Sequence, residues 1–186
     1  MRRLAAAPKS TKDELLRLQK QQLRFRELWQ TPCAHRMRKV DWSREPYRSA
    51  KVLMTSFYAP FFYDTSGYDL RGGYLAKGGF IQRMDSALLK VCPYCDNYLQ
   101  RIELDHFLPK DDFPFLSCHP DNLVPSCHDS NSGSHKGRNV PLDWDETEQA
   151  AHWFHPRWRS ARDCLLVKVR ETAERSLEVR LTAQET

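Results

Sequence analysis

Apolar side chains near the start of the chain recur at the spacing of an amphipathic helix. They alternate with Lys, Arg and Gln, and they are Leu15, Leu18, Leu23, Phe25 and Leu28. The pattern predicts a helix over about residues 12–30, with Thr11 as its N-cap and Glu14 completing a capping box. Pro32 is expected to end this helix. Its apolar face is expected to pack on the main body or on a partner.

Residues 31–80 show no clear periodicity and are rich in aromatic residues and glycine. The stretch 58–64, YAPFFYD, is aromatic and interrupted by proline. Such clusters stack nucleic-acid bases in some single-strand binders, but more often they belong to a core or a partner surface. We favour the second interpretation for this stretch.

Shorter patterns predict the remaining elements. A short helix is expected over 80–90 and a strand over 98–104, and the Trp and Ala spacing over 143–154 indicates another helix. Apolar or alternating runs at 164–169 and 177–181 flank a polar segment and predict a β-hairpin.

Composition agrees with a folded protein that has a packed core. Of the 186 residues, 40% are hydrophobic and 28% are charged. No apolar run approaches the ~20 residues that a membrane span needs, and the apolar stretch 4–7 is too short for a secretory signal. We expect a soluble, cytoplasmic protein without a membrane contact.

Positive charge is concentrated in the first quarter of the chain. Residues 1–51 contain 14 Lys and Arg against 5 Asp and Glu, whereas the remaining residues contain 15 against 19. A basic segment can neutralise phosphates and so bind nucleic acid, or it can be a solvated helix face. Nucleic-acid contact is the favoured interpretation.

Four short motifs between residues 92 and 136 carry the candidate chemistry. They are CPYC at 92–95, LDHFLPK at 104–110, DNLVPSC at 121–127 and SNSGSHK at 130–136. In an intracellular chain, two cysteines separated by two residues are more often a metal knuckle or a redox pair than part of a disulfide framework. A redox pair would precede a helix, whereas a strand is predicted here, so a metal is favoured.

Asp105 and His106 have the chemistry that phosphodiester hydrolysis requires. A neutral imidazole can deprotonate an attacking water at physiological pH, and a carboxylate can bind a hard divalent ion such as Mg²⁺. Neighbouring residues on a regular strand face opposite sides. Both residues can therefore serve one site only where the backbone turns, and Pro109 agrees with a strand that ends there.

The order and spacing of these motifs resemble the HNH (ββα-metal) endonucleases over about a quarter of the chain. The resemblance implies an α+β fold in which a ββα-metal core carries an N-terminal helical region and a C-terminal helix plus β-hairpin. It also implies that His106 is the general base and that Asn122 clamps the loop and orients this base. Asp105 and Asn131 would bind one catalytic Mg²⁺ or Mn²⁺.

Three residues after this core set have less certain assignments. His135 matches a second metal ligand of colicin-type members, and it would share a helix face with Asn131, four residues earlier. Gly133 lies between them and weakens the helix. Lys136 and Arg138 follow directly, and they either bind a phosphate or are simply solvated.

The resemblance implies a structural zinc site with one departure from the family pattern. Zinc-containing HNH proteins usually have a second C-x-x-C, whereas here the chain reads CHDS at 127–130. Cys92, Cys95 and Cys127 are expected to bind Zn²⁺ together with a fourth ligand from elsewhere, because serine is a poor zinc ligand at neutral pH. The candidates for that ligand are His128, Cys118 and His119. Alternatively, the site is metal-free and the cysteines pack the loop.

These inferences divide the chain into three regions. Residues 1–80 form a basic helical and aromatic region for partner or DNA contact, 81–142 the HNH core with its zinc knuckle, and 143–186 a helix and hairpin packed on the core. The predicted function is metal-dependent hydrolysis of phosphodiester bonds in DNA. The motifs and a downstream FHP at 154–156 further resemble small HNH nucleases of bacterial phage-defence systems, such as Septu-type nuclease subunits, which work beside an ATPase partner.

Two other functions remain open from the sequence. The first is a non-catalytic zinc module that binds nucleic acid or protein, although such a module would need neither Asp105 nor His106. The second is an RNA-directed nuclease or toxin, since the attacked phosphate is common to both polymers.

Overall fold

A computed structural model of the chain describes residues 2–27, 37–38, 40–63, 68–70, 73–84, 86–141, 155–158, 165–172 and 176–183. The chain divides into two compact units, Met1–Trp153 and Phe154–Thr186. Helices and short antiparallel sheets are mixed, so the predicted α+β class is confirmed. No helix within the described ranges has the length and apolar character that crossing a membrane requires.

The described elements are short. The helices are α1 (Arg2–Ala5), α2 (Lys9–Leu23), α3 (Tyr47–Ser56), α4 (Lys77–Gln82) and α5 (His128–Asn131). Single 3₁₀ turns lie at Ser86–Leu89, Pro114–Leu116 and Pro120–Asn122. The strands form three antiparallel pairs, β1 (Tyr68–Leu70) with β2 (Gly73–Leu75), β3 (Glu103–His106) with β4 (Leu123–Ser126), and β5 (Leu165–Glu171) with β6 (Leu177–Ala183).

Helix α2 forms within the predicted segment but begins and ends earlier than the sequence indicated. Its N-cap is Pro8, and no side chain caps it, so the predicted capping box of Thr11 and Glu14 is wrong. Proline suits this position because its fixed φ leads into a helix and it has no N–H to satisfy. Leu15 and Leu18 are buried, as their spacing predicted.

Among the described residues of the first unit, two groups of buried side chains pack together. Leu15, Leu18, Trp42 and Ala50 bring α2 and α3 together, and Phe115 packs against them. The second group is Tyr58, Phe62, Leu104 and Leu123, which joins the aromatic stretch to β3 and β4.

An irregular turn after α3 places the aromatic residues in the second group. Residues Phe57–Phe62 continue the helix, but Ala59 has extended angles (φ −116°, ψ 129°) because it precedes Pro60. Tyr58 and Phe62 are buried. For these two residues, the favoured prediction that the aromatic stretch belongs to a core is confirmed.

Several predicted boundaries differ in the structure. The strand predicted over 98–104 is Glu103–His106, and Tyr98 forms only an isolated bridge with Val91. The helix predicted over 80–90 is replaced by the end of α4 and a 3₁₀ turn. The predicted C-terminal hairpin is confirmed by β5 and β6, whereas the predicted helix over 143–154 lies outside the described residues.

Candidate active site and thiol cluster

His106 is the last residue of β3, and its ring is almost fully buried. Its Nε2 lies 2.9 Å from the carbonyl oxygen of Ser117. Because a carbonyl only accepts hydrogen bonds, Nε2 carries the proton and Nδ1 has the lone pair. Burial lowers the pKa of His106 to about 4, with the cations of Lys110 and Lys136 adding to the effect. The imidazole is therefore neutral at pH 7 and able to accept a proton.

The ring of Tyr58, a residue of the N-terminal region, packs against the His106 ring. The two ring centroids are 4.3 Å apart in an edge-to-face arrangement. Ser117, which holds Nε2, is itself fixed because its hydroxyl donates to the carbonyl of Met54 in α3. Residues 54–58 therefore help to position the imidazole in two ways. Tyr58 packs against the ring, and Met54 fixes Ser117, which accepts from Nε2.

The Asn122 side chain holds the backbone near His106 and near Ser117, whose carbonyl accepts from the His106 ring. Its side-chain oxygen accepts from the N–H of Leu108 at 2.8 Å, and its amide nitrogen donates to the carbonyls of Leu108 and Leu116 at 3.0 and 3.2 Å. Leu108 follows His106 by two residues, and Leu116 precedes Ser117. Asn122 is fully buried, so these bonds are made without competition from water.

Asp105 precedes His106 and is buried at 4% exposure. Its carboxylate accepts from the hydroxyl of Tyr94 at 2.6 Å. The ammonium of Lys136 lies 3.0 and 3.2 Å from its two oxygens and also donates to the carbonyl of His106 at 2.7 Å. Three oxygens of β3 thus surround one cation. Lys136, predicted as a phosphate ligand, is instead engaged with Asp105.

Asn131 ends α5 and is bonded to the same strand. Its amide nitrogen donates to Glu103 at 2.8 Å, and the other oxygen of Glu103 lies 2.8 Å from Nδ1 of His128. The Asn131 bond lowers the pKa of Glu103, and the bond to Glu103 raises the pKa of His128. Since the amide nitrogen is used, the amide oxygen of Asn131 is left for another partner.

A cavity of about 460 Å³ brings three of the predicted catalytic residues together. It is lined by Asp105, His106 and Asn131, and by the cationic residues Lys110 and Arg138. Arg138 is exposed and forms an ion pair with Asp111, another lining residue. Lys110 forms no ion pair with any residue in the described part of the chain.

His135 does not line this cavity. Helix α5 ends at Asn131 and Ser132 is extended (ψ 159°), so the prediction that Asn131 and His135 share a helix face is wrong. The ring of His135 is exposed, and its Nδ1 contacts the hydroxyls of Ser132 and Ser134. The break follows from the Ser-Gly-Ser run at 132–134, which favours a turn over a helix.

The three predicted thiols form a cluster. The Sγ atoms of Cys92, Cys95 and Cys127 lie within 4.8 Å of one another, and those of Cys95 and Cys127 are 3.6 Å apart. Burial raises the pKa of the Cys92 thiol, but hydrogen bonds from the backbone N–H groups of Cys127 and Tyr94 outweigh it, and the pKa is about 7. Three thiols at this spacing can bind a metal such as zinc.

The residue beside the cluster is Ser130, where the family pattern would have a fourth cysteine. Its hydroxyl lies 3.3 Å from Sγ of Cys127, and its side chain is buried. None of the three residues predicted as a fourth zinc ligand joins the described cluster. His128 is bonded to Glu103, Cys118 packs in the second core group with its pKa raised to about 11 by burial, and Nδ1 of His119 accepts from the N–H of Asp121.

Several residues at the site were not predicted as functional, among them Glu103, Tyr94 and Tyr58. Glu103 could have been found, because residues two apart on a strand share a face and Glu103 is two before Asp105. Tyr94 lies inside the CPYC motif, but nothing in the spacing indicated that its hydroxyl reaches Asp105. Tyr58 comes from a segment 48 positions before His106, and no local pattern links the two.

The fold and site define an α+β protein with a thiol cluster suited to a metal. No protein-family model matches the chain, and no solved structure matches it significantly. Two curated proteins are similar to part of it. Protein ea31 of Escherichia phage lambda is 46% identical over 74 residues, which cover 36% of the chain and 24% of that protein. Septu protein PtuB of Bacillus thuringiensis is 39% identical over 57 residues, which cover 27% of the chain and 22% of that protein. The chain thus spans less than a quarter of the length of either relative.

Proposed function

We propose that the chain is a metal-dependent endonuclease of the HNH type that hydrolyses phosphodiester bonds in DNA. The observation that carries the proposal is the arrangement of His106. Its Nε2 is held by a carbonyl, its Nδ1 keeps the lone pair, and it lines one cavity with the carboxylate of Asp105. In this proposal β3, β4 and α5 are the two strands and the helix of a ββα-metal core.

Asp105 and Asn131 fit the requirements of a hard divalent cation. Both supply oxygen atoms, which Mg²⁺ and Mn²⁺ prefer, and both line the same cavity. The ammonium of Lys136 between oxygens of Asp105 and His106 supports this assignment, because it demonstrates that the position attracts positive charge. When bound there, the metal would supply positive charge to the attacked phosphate.

The residues of the chain have separate tasks in the proposed reaction. His106 takes a proton from a water molecule at Nδ1, and the water oxygen attacks phosphorus while the opposite P–O bond breaks. The leaving oxygen takes the bonding electron pair as an alkoxide and is protonated by solvent water. Asn122 keeps the imidazole in position through the backbone at Leu108 and Leu116. Lys110 and Arg138 line the cavity and supply charge for phosphate oxygens.

The test is the nicking of supercoiled plasmid in Mg²⁺ or Mn²⁺. We expect His106→Ala to reduce the rate by about 10²-fold or more, because general-base catalysis contributes about that much. The matched control is His135→Ala, which removes an exposed histidine outside the cavity. This variant is expected to cleave at a rate close to that of the wild type.

Several outcomes would contradict the proposal. Equal cleavage by wild type and His106→Ala would exclude His106 as the base. A loss in His135→Ala equal to that in His106→Ala would restore His135 as a metal ligand. Cleavage of an RNA substrate but not of plasmid would favour the RNA-directed alternative, and metal-dependent nucleic-acid binding without cleavage would favour the zinc-module alternative.

A role in phage defence is a second proposal, and it rests on similarity rather than on the site. The similarity to Septu protein PtuB supports it, and a similar segment also occurs in a protein of phage lambda. We also propose an ATPase partner, on the basis of the resemblance to Septu-type nuclease subunits. Co-expression with an ATPase of a Septu-type defence system, followed by co-purification and a plaque assay, tests both.

A further inference from the structure

The loop that carries two of the cysteines also contacts the proposed active site. Residues Cys92–Asp96 form a tight turn, in which the N–H of Cys92 donates to Asn97 and the N–H of Asp96 donates back to Cys92. Asp96 has a left-handed backbone (φ 59°), a conformation that Asp tolerates better than most residues. The turn fixes the direction of each side chain between the two cysteines.

Tyr94 links the turn to Asp105. Its backbone lies in the turn closed by the hydrogen bond from the Asp96 N–H to the Cys92 carbonyl, and its hydroxyl donates to Asp105 at 2.6 Å. That oxygen–oxygen distance is in the range of strong, charge-assisted hydrogen bonds. A tyrosine phenol is protonated at pH 7, so the hydroxyl is the donor and the carboxylate the acceptor.

We propose that Tyr94 is a positioning residue that couples the thiol cluster to the carboxylate of Asp105. A metal held by the three cysteines fixes the CPYC turn, the turn fixes the Tyr94 ring, and the hydroxyl fixes the carboxylate that binds the divalent cation. The cluster thereby acts on the chemistry as well as on stability. This inference rests on the proposed function, in which Asp105 is a metal ligand.

Among the described residues, Lys136 is the other group that contacts the Asp105 carboxylate, but it is a less rigid support. Its ammonium is on a chain of four methylene groups, whereas the phenol is a rigid ring on a closed turn. A divalent cation at Asp105 would also compete with the ammonium, since both carry positive charge. Tyr94 remains bonded in either case, because a neutral donor does not repel a cation.

The test compares Tyr94→Phe with the matched control Tyr98→Phe. Each variant loses one hydroxyl from the same loop, and Tyr98 is 81% exposed. Binding of Mn²⁺ is followed by the electron paramagnetic resonance of the free ion, and the Asp105 site is identified as the binding lost in Asp105→Asn. We expect Tyr94→Phe to keep its zinc and to bind Mn²⁺ about tenfold more weakly, the scale on which outer-sphere partners act. Tyr98→Phe is expected to match the wild type.

A double-mutant cycle tests the coupling itself. Cys95→Ser weakens the cluster and is expected to weaken Mn²⁺ binding in the wild type, but to add little in Tyr94→Phe, because the connection is already broken. Additive losses in the double variant would overturn the proposal. So would unchanged Mn²⁺ affinity in Tyr94→Phe, or a loss of zinc from it, since the hydroxyl would then support the cluster instead of the carboxylate.

The two proposals can fail separately. A wild type that binds Mn²⁺ at Asp105 but never cleaves plasmid would contradict the nuclease activity, and Tyr94 would still be judged by the binding measurement. A wild type that binds no Mn²⁺ would overturn the role of Tyr94 whatever it cleaves. Cleavage that is normal in Tyr94→Phe, together with normal binding, would overturn the role of Tyr94 alone.

Discussion

At the scale of single residues, the position of His106 depends on Asn122. The imidazole is held by one hydrogen bond to Ser117, and the backbone around both residues is bonded to the Asn122 side chain. An asparagine is required here because the site offers one N–H donor and two carbonyl acceptors, and only a carboxamide can satisfy all three. An aspartate would face two carbonyls without a proton to donate.

We predict that Asn122→Ala lowers the free energy of unfolding by about 3 kcal/mol, because it leaves the buried N–H and carbonyl of Leu108 without partners. It also removes one of the two hydrogen bonds to the carbonyl of Leu116, which still accepts from the N–H of His119. The measurement is urea denaturation at pH 7. Asn97→Ala is the matched control, since Asn97 is an exposed residue whose side chain has no hydrogen bond in the described structure. A loss below 1 kcal/mol in Asn122→Ala would mean that the loop does not depend on this side chain.

Residue spacing was enough to place some side chains but not others. The motif pattern brought Asp105, His106 and Asn131 to one cavity, because each lies at or near the end of a short element of fixed length. It did not predict that Lys136 would turn back onto Asp105, 31 positions earlier. That contact depends on the chain reversal after α5, where Gly137 has a positive φ that the sequence alone did not reveal.

At the scale of elements, helix α5 joins the thiol cluster to the proposed active site. Cys127 is its N-cap, and its Sγ accepts from the N–H of Ser130 at 3.4 Å. One turn later the helix ends at Asn131, which is bonded to Glu103 of β3. A helix of four residues has little stability of its own, so its conformation depends on what holds Cys127 at one end and Asn131 at the other.

The buried hydroxyl beside Cys127 suggests a gain-of-function test of the cluster. We predict that Ser130→Cys tightens zinc binding by more than the about tenfold that outer-sphere partners supply, because it completes a four-thiolate set. Zinc release to a chromogenic chelator measures the effect. Ser130→Ala is the control and is expected to bind zinc no more tightly than the wild type. If both variants retain zinc equally, residue 130 does not face the metal.

Predictions of elements were most accurate where the pattern was long and regular. The alternation before and after residues 172–176 predicted the β5–β6 hairpin, and the spacing of Leu15 and Leu18 predicted α2. Predictions were least accurate around the cysteine motif, where turn geometry and not periodicity sets the backbone. There the strand predicted to begin at Tyr98 begins at Glu103, since the intervening residues close the loop.

At the scale of the whole molecule, the N-terminal region takes part in building the site. Tyr58 covers His106, the carbonyl of Met54 accepts from Ser117, and Arg26 forms an ion pair with Asp121, next to Asn122. These contacts join residues 48 to 95 positions apart. No local pattern encodes them, and for that reason the sequence presented residues 1–80 as a separate surface for DNA or a partner.

The basic side chains of residues 1–80 are also less available to bind phosphates than the composition indicated. Of the described basic side chains in this region, six form ion pairs with carboxylates: Arg3, Arg24, Arg26, Arg38, Arg44 and Lys51. Exposed pairs of this kind are weak, so a phosphate can compete for the cation. Lys110 lines the proposed active-site cavity and forms no ion pair within 4.0 Å among the described residues, and its ammonium lies 5.9 Å from the centre of the Tyr58 ring. A phosphate therefore has no close ion pair to displace there.

We therefore predict that Lys110 contributes more to DNA affinity than an equally charged lysine on α2. In a His106→Ala background, Lys110→Gln is expected to weaken DNA binding and to reduce the slope of log K against log salt by about 1, the loss of one phosphate contact. Lys12→Gln removes the same charge outside the cavity, where Lys12 donates to the carbonyl of Ala5, and is expected to leave the slope unchanged. Fluorescence anisotropy with a labelled duplex between 50 and 200 mM salt, about the range over which such slopes are defined, measures both. Equal slopes for the two variants would indicate that the net charge of the chain, and not the cavity, holds the DNA.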